Sequence, residues 1–163
     1  MRRLLIVHHS LTGGTRQMAE AAAHGAAAEP GVATLLLRAE AAGPAEVLAA
    51  DAFLFAAPET LGGLSGLMKD FFDRCYYPAL DRLNGRAYAA MVCAGSDGRG
   101  AVRQLERIAA GWRLRAVAEP LILCTRAQTP EAILAPKRIP EAELARCAET
   151  GAALAAGIAA GIF

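Results

Sequence analysis

Lysine is almost missing from this chain: of its 17 basic residues only Lys69 and Lys137 are lysines. Neither falls in the one loop with a phosphate-binding composition. That excludes the ATP-type P-loop, which ends in Gly-Lys-Ser/Thr. Charge of a single sign is also missing, since 17 basic against 16 acidic residues leave a formal net charge of +1. Such a balance gives no electrostatic footprint for nucleic acid or for an anionic membrane surface. The four cysteines, Cys75, Cys93, Cys124 and Cys147, stand far apart and form no C-x-x-C. Neither a zinc site nor a redox pair of that spacing is present, and no metal site is expected. Long apolar runs are absent as well. The uncharged stretch Thr150 to Phe163 falls short of the ~20 residues a membrane span needs. The apolar residues after Met1-Arg2-Arg3 end at His8, too early for a signal peptide, so a cytosolic (cytoplasmic) protein is expected.

Apolar residues are plentiful, at 55% of 163 positions, enough for one domain, 1–163, with a full core. Short apolar runs at Leu4–Val7, Val32–Leu37, Asp51–Ala57, Tyr88–Ala94 and Leu121–Cys124 read as strands buried on both faces. Helix-forming stretches separate them: Gly14 to Glu29, Ala39 to Ala50, Ser65 to Arg82, Ala101 to Ala110, and a last one from Pro140. Strand alternating with helix predicts an α/β fold: a five-stranded parallel sheet, helices on both faces, right-handed crossovers. The pattern leaves the strand order open. Leu64, Leu67, Met68, Phe71, Phe72 and Cys75 recur at helical spacing and read as a core-facing stripe. His8 and His9 are adjacent at a strand end and point to opposite faces, so they do not form a metal pair.

The stretch Ser10-Leu11-Thr12-Gly13-Gly14-Thr15 joins the first strand to the first helix. A helix start presents unpaired N–H groups and the positive end of its dipole. Ser10, Thr12 and Thr15 can add hydroxyl donors, and Gly13 and Gly14 allow close backbone approach. This composition predicts a phosphate monoester that is held and not transferred.

The spacing S-x-T-G-x-T after the first strand resembles the FMN phosphate loop of the flavodoxin-like family. The stretches Ala57 to Gly63, Gly66 to Arg74 and Gly95 to Gly100 are similar to those of NAD(P)H-dependent FMN reductases and flavodoxin-like quinone reductases. The resemblance implies a single flavodoxin-like domain with strand order 2-1-3-4-5. In that order strands one, three and four are neighbours, so the loops Ser10–Thr15, Pro58–Gly63 and Ala94–Gly100 converge on one crevice. It implies FMN as cofactor. Ser10, Thr12, Gly13, Gly14 and Thr15 would hold the phosphate. Pro58, Glu59, Thr60, Leu61, Gly62 and Gly63 would line the ring. Ser96, Asp97 and Gly100, with backbone from Ala94 and Gly95, would meet the pyrimidine side. NAD(P)H and a small-molecule electron acceptor are the implied partners, and the flavin carries the chemistry without a catalytic side chain. A non-catalytic FMN electron carrier is the weaker alternative, because electron-carrier flavodoxins are strongly acidic and this chain is not. Where many flavodoxins hold aromatic side chains over the ring, the second and third loops here have none. One ring face is left to Leu61, to a neighbouring subunit or to the substrate, and a homo-oligomer stays open.

Cys93 to Arg99 also fits C-x5-R, the phosphate cradle of cysteine phosphatases and some arsenate reductases. There a thiolate attacks and the arginine grips two oxygens. That chemistry requires Cys93 to be activated by the helix start and by Arg99.

Overall fold

The computed structural model describes residues 1–163. The run Leu4–Val7, together with His8, is the buried part of β1 (Arg2–His8). Then come α1 (Gly14–Ala26), β2 (Val32–Arg38), α2 (Pro44–Ala49) and β3 (Ala52–Thr60). The chain continues through β4 (Gly63–Leu64), α3 (Gly66–Ala79), β5 (Ala87–Ala94), α4 (Arg99–Gly111), β6 (Arg115–Ala116) and β7 (Leu121–Cys124). It closes with α5 (Pro130–Leu134) and α6 (Glu141–Ala159). No helix is long and apolar enough to cross a membrane.

The order along the sheet is β2-β1-β3-β5, with β6 and β7 both paired to the far side of β5. These pairings are parallel, so the strands expected as one to five lie in the flavodoxin-like order 2-1-3-4-5. Two details differ from the five-strand expectation. The fifth strand is in two pieces, separated by a stretch that contains Pro120, which has no N–H for a ladder. The third strand runs on past the sheet and folds back as an antiparallel hairpin, β3–β4.

Alternation along the strands sends side chains to two cores. Leu5, Val7, Phe53 and Phe55 face α2, α3 and α4, within a cluster that holds every buried aromatic ring, Trp112 included. Leu4, Ile6, Leu54 and Ala56 face α1 and α6, in a cluster built from small and aliphatic residues. The stripe on α3 is core as expected at Met68, Phe71, Phe72 and Cys75, but Leu67 faces solvent. α2 is shorter than expected. It begins at Pro44, because a residue before proline is driven out of the helical region. Asp70 pairs with Arg74 one turn on, at 2.6 Å, and Arg74 also reaches the carbonyl oxygens of Ala39 and Ala42.

Candidate functional site

β1, β3 and β5 are neighbours and end together, so the three loops that follow them meet. Within the first loop the Ser10 hydroxyl accepts from the Gly13 N–H at 3.1 Å and sets the bend. α1 then starts with no side chain capping its first amides and no acidic residue in its first turn. Those amides need a partner from elsewhere.

A second segment lies across this loop. The Lys137 N–H donates to the Thr12 carbonyl at 2.8 Å. Gln17 Nε2 donates to the carbonyls of Gly13 (2.9 Å) and Lys137 (2.7 Å), and its Oε1 accepts from the Ile139 N–H at 3.0 Å. One amide side chain therefore fastens the 137–139 backbone to the start of α1. Farther along, the amides of Thr125 and Arg126 donate to the carbonyls of Ala94 and Gly95.

The hairpin turn Leu61-Gly62 has both residues in the left-handed region, at φ 52° and 76°. That is the geometry of a two-residue turn between twisted strands, and leucine is a strained choice for it. The hairpin is tied to α4. The Glu59 carboxylate accepts from the amides of Gly98 (3.0 Å) and Ala101 (3.1 Å). The Gln104 side chain accepts from the Leu64 amide at 2.7 Å. A Cβ on Gly100 would lie 1.9 Å from the Gly62 carbonyl oxygen, so only glycine fits under the turn.

Between the loops lies a cavity of about 430 Å³. Ser10, Thr12, Gly14 and Thr15 line it from the first loop, Pro58, Glu59, Thr60 and Leu61 from the second, Ala94 and Gly95 from the third. The remaining expected residues are not in the lining of this cavity. Gly13 faces an adjoining cavity. Gly62 makes the turn, and Gly63 and Gly100 pack against Gln104 and Gly62. Ser96 is exposed, and the Asp97 carboxylate pairs with Arg99 in solvent. Sequence reasoning missed Leu11, Thr125, Ala127, Ile133 and Lys137 and named Cys93 only for the C-x5-R chemistry; all six are part of the wall. Lys137 was visible only as one of two lysines, in an irregular stretch between Pro136 and Pro140. Its ammonium donates to the carbonyls of Ile133 (2.7 Å) and Ala135 (2.6 Å), which leaves one N–H. Uncapped amides, hydroxyls and one cation suit a phosphate monoester. Apolar walls at Pro58, Leu61, Ala94 and Ile133 suit a flat ring.

The C-x5-R chemistry has no such support. Burial pushes the Cys93 thiol above its ordinary pKa, only partly opposed by the charge of Lys137. The Arg99 guanidinium points into solvent, 2.6 Å from Asp97. The amides of Gly98 and Ala101, which a phosphate cradle would need, already serve the Glu59 carboxylate. Cys93 and Arg99 do not form an anion cradle.

This geometry is that of a flavodoxin-like fold with a mononucleotide-sized cavity at its switch point. The model of the NADPH-dependent FMN reductase family matches residues 41–127, more than half of the chain, and the chain belongs to that family. Membership makes FMN its flavin. The match begins after the Ser10–Thr15 loop, which therefore stands on its own geometry. An NAD(P)H dehydrogenase (quinone) of Acidithiobacillus ferrooxidans is 34% identical over 45% of this chain and 47% of that protein. A flavodoxin of Aquifex aeolicus is 31% identical over 61% of this chain and 54% of that protein. The chain thus spans about half the length of these curated relatives. Among solved structures, a flavodoxin from the domain Archaea superposes with a TM-score of 0.77 at 16% identity, covering 96% of this chain and 98% of that one. A WrbA-like flavodoxin from Agrobacterium tumefaciens gives 0.72 at 23% identity, covering 99% of both chains. At those identities the likeness is one of fold.

Proposed function

We propose that the chain is an oxidoreductase that takes hydride from NAD(P)H onto FMN and passes the electrons to a small-molecule acceptor such as a quinone. Residues 1–163 serve as one domain. The observation that carries this reading is the uncapped start of α1, open to the cavity where three loops meet.

Each wall has a task. The amides of Gly14 and Thr15 and the hydroxyls of Thr12 and Thr15 hold the phosphate, while Ser10 fixes the loop through Gly13. Lys137 adds the one cation of this wall. Pro58, Thr60 and Leu61 flank one face of the ring, and Ala94 and Gly95 meet its pyrimidine edge. Glu59, Gly62, Gly63 and Gly100 support the ring wall by locking the hairpin onto α4. Ser96 and Asp97 extend the third loop toward solvent at the pyrimidine side. The bound flavin supplies the two-electron chemistry, and no side chain acts as acid or base. With no aromatic residue in the second or third loop, one ring face is left for nicotinamide and acceptor in turn, a geometry suited to hydride exchange.

Titration of the purified protein with FMN and with riboflavin tests the site. FMN fluorescence should be quenched, with FMN bound at least about 100-fold tighter than riboflavin, because charge-assisted phosphate contacts separate the two. Equal affinities would place the phosphate elsewhere. Oxidation of NADH or NADPH by the FMN-loaded protein with a quinone tests the reaction. No turnover with either would leave an electron carrier.

A further inference from the structure

The Ser10–Thr12 backbone is a wall shared by two cavities. Beyond the one described lies a second, of about 450 Å³, whose polar lining is His8, Ser10, Thr12, Arg16 and Arg38. Its character is different. The flavin cavity has hydroxyls, amides and one lysine, whereas this one has two guanidinium groups and an imidazole. His8 and Arg38 are register partners at the ends of β1 and β2, and Arg16 stands in the first turn of α1.

The arginines are held only lightly. Arg16 meets Glu20 at 3.3 Å and Arg38 meets Glu40 at 2.9 Å, each through one nitrogen, and both side chains are more than half exposed, at 56% and 70%. Exposed pairs of this kind are weak, and each guanidinium keeps further donors in a planar fork that matches phosphate oxygens. His8 is the independent sign. It lines the cavity, only 6% of it is exposed, and its Nδ1 has no hydrogen-bond partner in the protein. A buried nitrogen without a partner is unusual in a folded chain, and a turn of the ring toward the cavity would give it a ligand oxygen.

We propose that this second cavity binds a phosphate monoester dianion, gripped by Arg16 and Arg38 with His8 as its buried hydrogen-bonding wall. Two sources share that chemistry: the ribose 2′-phosphate of a nicotinamide dinucleotide, and free inorganic phosphate. The first would make the site the determinant of NADPH over NADH, and that part rests on the reductase reading above.

The test uses FMN-loaded protein and isothermal titration with adenosine 2′,5′-bisphosphate, inorganic phosphate and adenosine. Wild type is compared with Arg38→Gln and Arg16→Gln, and FMN affinity is measured separately in each by fluorescence quenching. The anions should bind and adenosine should not. Each substitution should weaken anion binding about tenfold or more, through loss of a bidentate partner. FMN affinity should stay within about twofold, as for separate sites. Bisphosphate bound much tighter than inorganic phosphate assigns the site to the dinucleotide; equal binding assigns it to free phosphate. Both outcomes uphold it. The proposal is overturned if no anion binds at millimolar concentration, if adenosine binds as well as the bisphosphate, or if Arg38→Gln leaves anion binding unchanged. A parallel loss of FMN affinity in Arg38→Gln would also overturn it, since the arginine would then serve the flavin phosphate. Anion binding by a protein that fails to quench FMN would sink the flavin reading and leave this site standing. Both arginines are surface residues, so thermal melts of the variants should match wild type.

Discussion

α1 and α4 each follow a buried strand through a short loop, and each begins at a glycine in the left-handed region. Gly13 lies at φ 92°, ψ −8° and Gly98 at φ 86°, ψ −17°. Neither helix carries an acidic residue in its first turn, and neither cap residue offers a side chain. Their starts present the same positive pole and the same orphan amides. What fills them differs. At α4 the chain provides its own anion, the Glu59 carboxylate, 3.0 and 3.1 Å from two amides. At α1 it provides none, and the opening faces a cavity. One helix start is used to fasten a hairpin, the other opens onto a cavity. The difference also explains why a C-x5-R match at α4 is not a phosphate site: its anion position is taken.

Making α1 resemble α4 gives the largest effect. Thr12→Asp places a carboxylate where a phosphate is expected, and like charges at a binding site cost several kcal/mol, so FMN affinity should fall by at least about 100-fold. Thermal stability should hold or rise by a few tenths of a kcal/mol, because an acid suits a helix start. Unchanged FMN quenching in this variant would remove α1 as the phosphate seat. The reverse experiment unplugs α4. Glu59→Ala leaves two amides without their acceptor and should cost about 1–3 kcal/mol in denaturant unfolding, with Glu59→Gln milder. No loss of stability would mean that water serves those amides equally well.

Smaller effects sharpen the contrast. Lys137→Gln should weaken FMN about tenfold and leave riboflavin unaffected, since a charge-assisted contact acts only on the phosphate. An equal loss for both ligands would assign Lys137 to the ring or to the fold. Leu61 is fully exposed at φ 52°. Leu61→Asn restores a side chain that such a turn tolerates ahead of Gly62, and should add about 0.5–1 kcal/mol of stability while weakening FMN through loss of an apolar ring contact. A stability gain with no change in FMN affinity would take Leu61 out of the ring wall. Thiol labelling gives the smallest effect. Burial pushes the thiols of Cys75 and Cys147 up to about 11 and raises Cys93 as well, so thiolate at pH 8 is scarce at all three. Partly exposed Cys124 should react first. Fast reaction at Cys93 would mean that α4 activates it after all.

The sheet was legible because its strands are short apolar runs closed by polar or turn residues, with helical periodicity between them. Leu4–Val7, Phe53–Ala57 and Tyr88–Ala94 all lie inside strands. Arg115–Ala116 was not legible as a strand, since two exposed residues carry no periodicity. Leu67 was misread as core because the buried arc on α3 is narrower than the apolar stripe suggests. The three loops were legible by composition, and the cavity draws on all of them. Which member of each loop reaches that cavity was not, because a loop residue's direction depends on what its neighbours bond to. Asp97 turns outward to Arg99, and Glu59 spends its carboxylate on α4.

By itself, then, the sequence determined the main strands and helices, their alternation and the hydroxyl- and glycine-bearing turn after the first strand, because periodicity and turn residues act between positions a few residues apart. Only the tertiary structure decided which charges meet there. Glu59 reaches Gly98 across 39 positions and Gln17 reaches Lys137 across 120. Contacts at such separations arise only when the sheet brings loop ends together, and no local spacing encodes them.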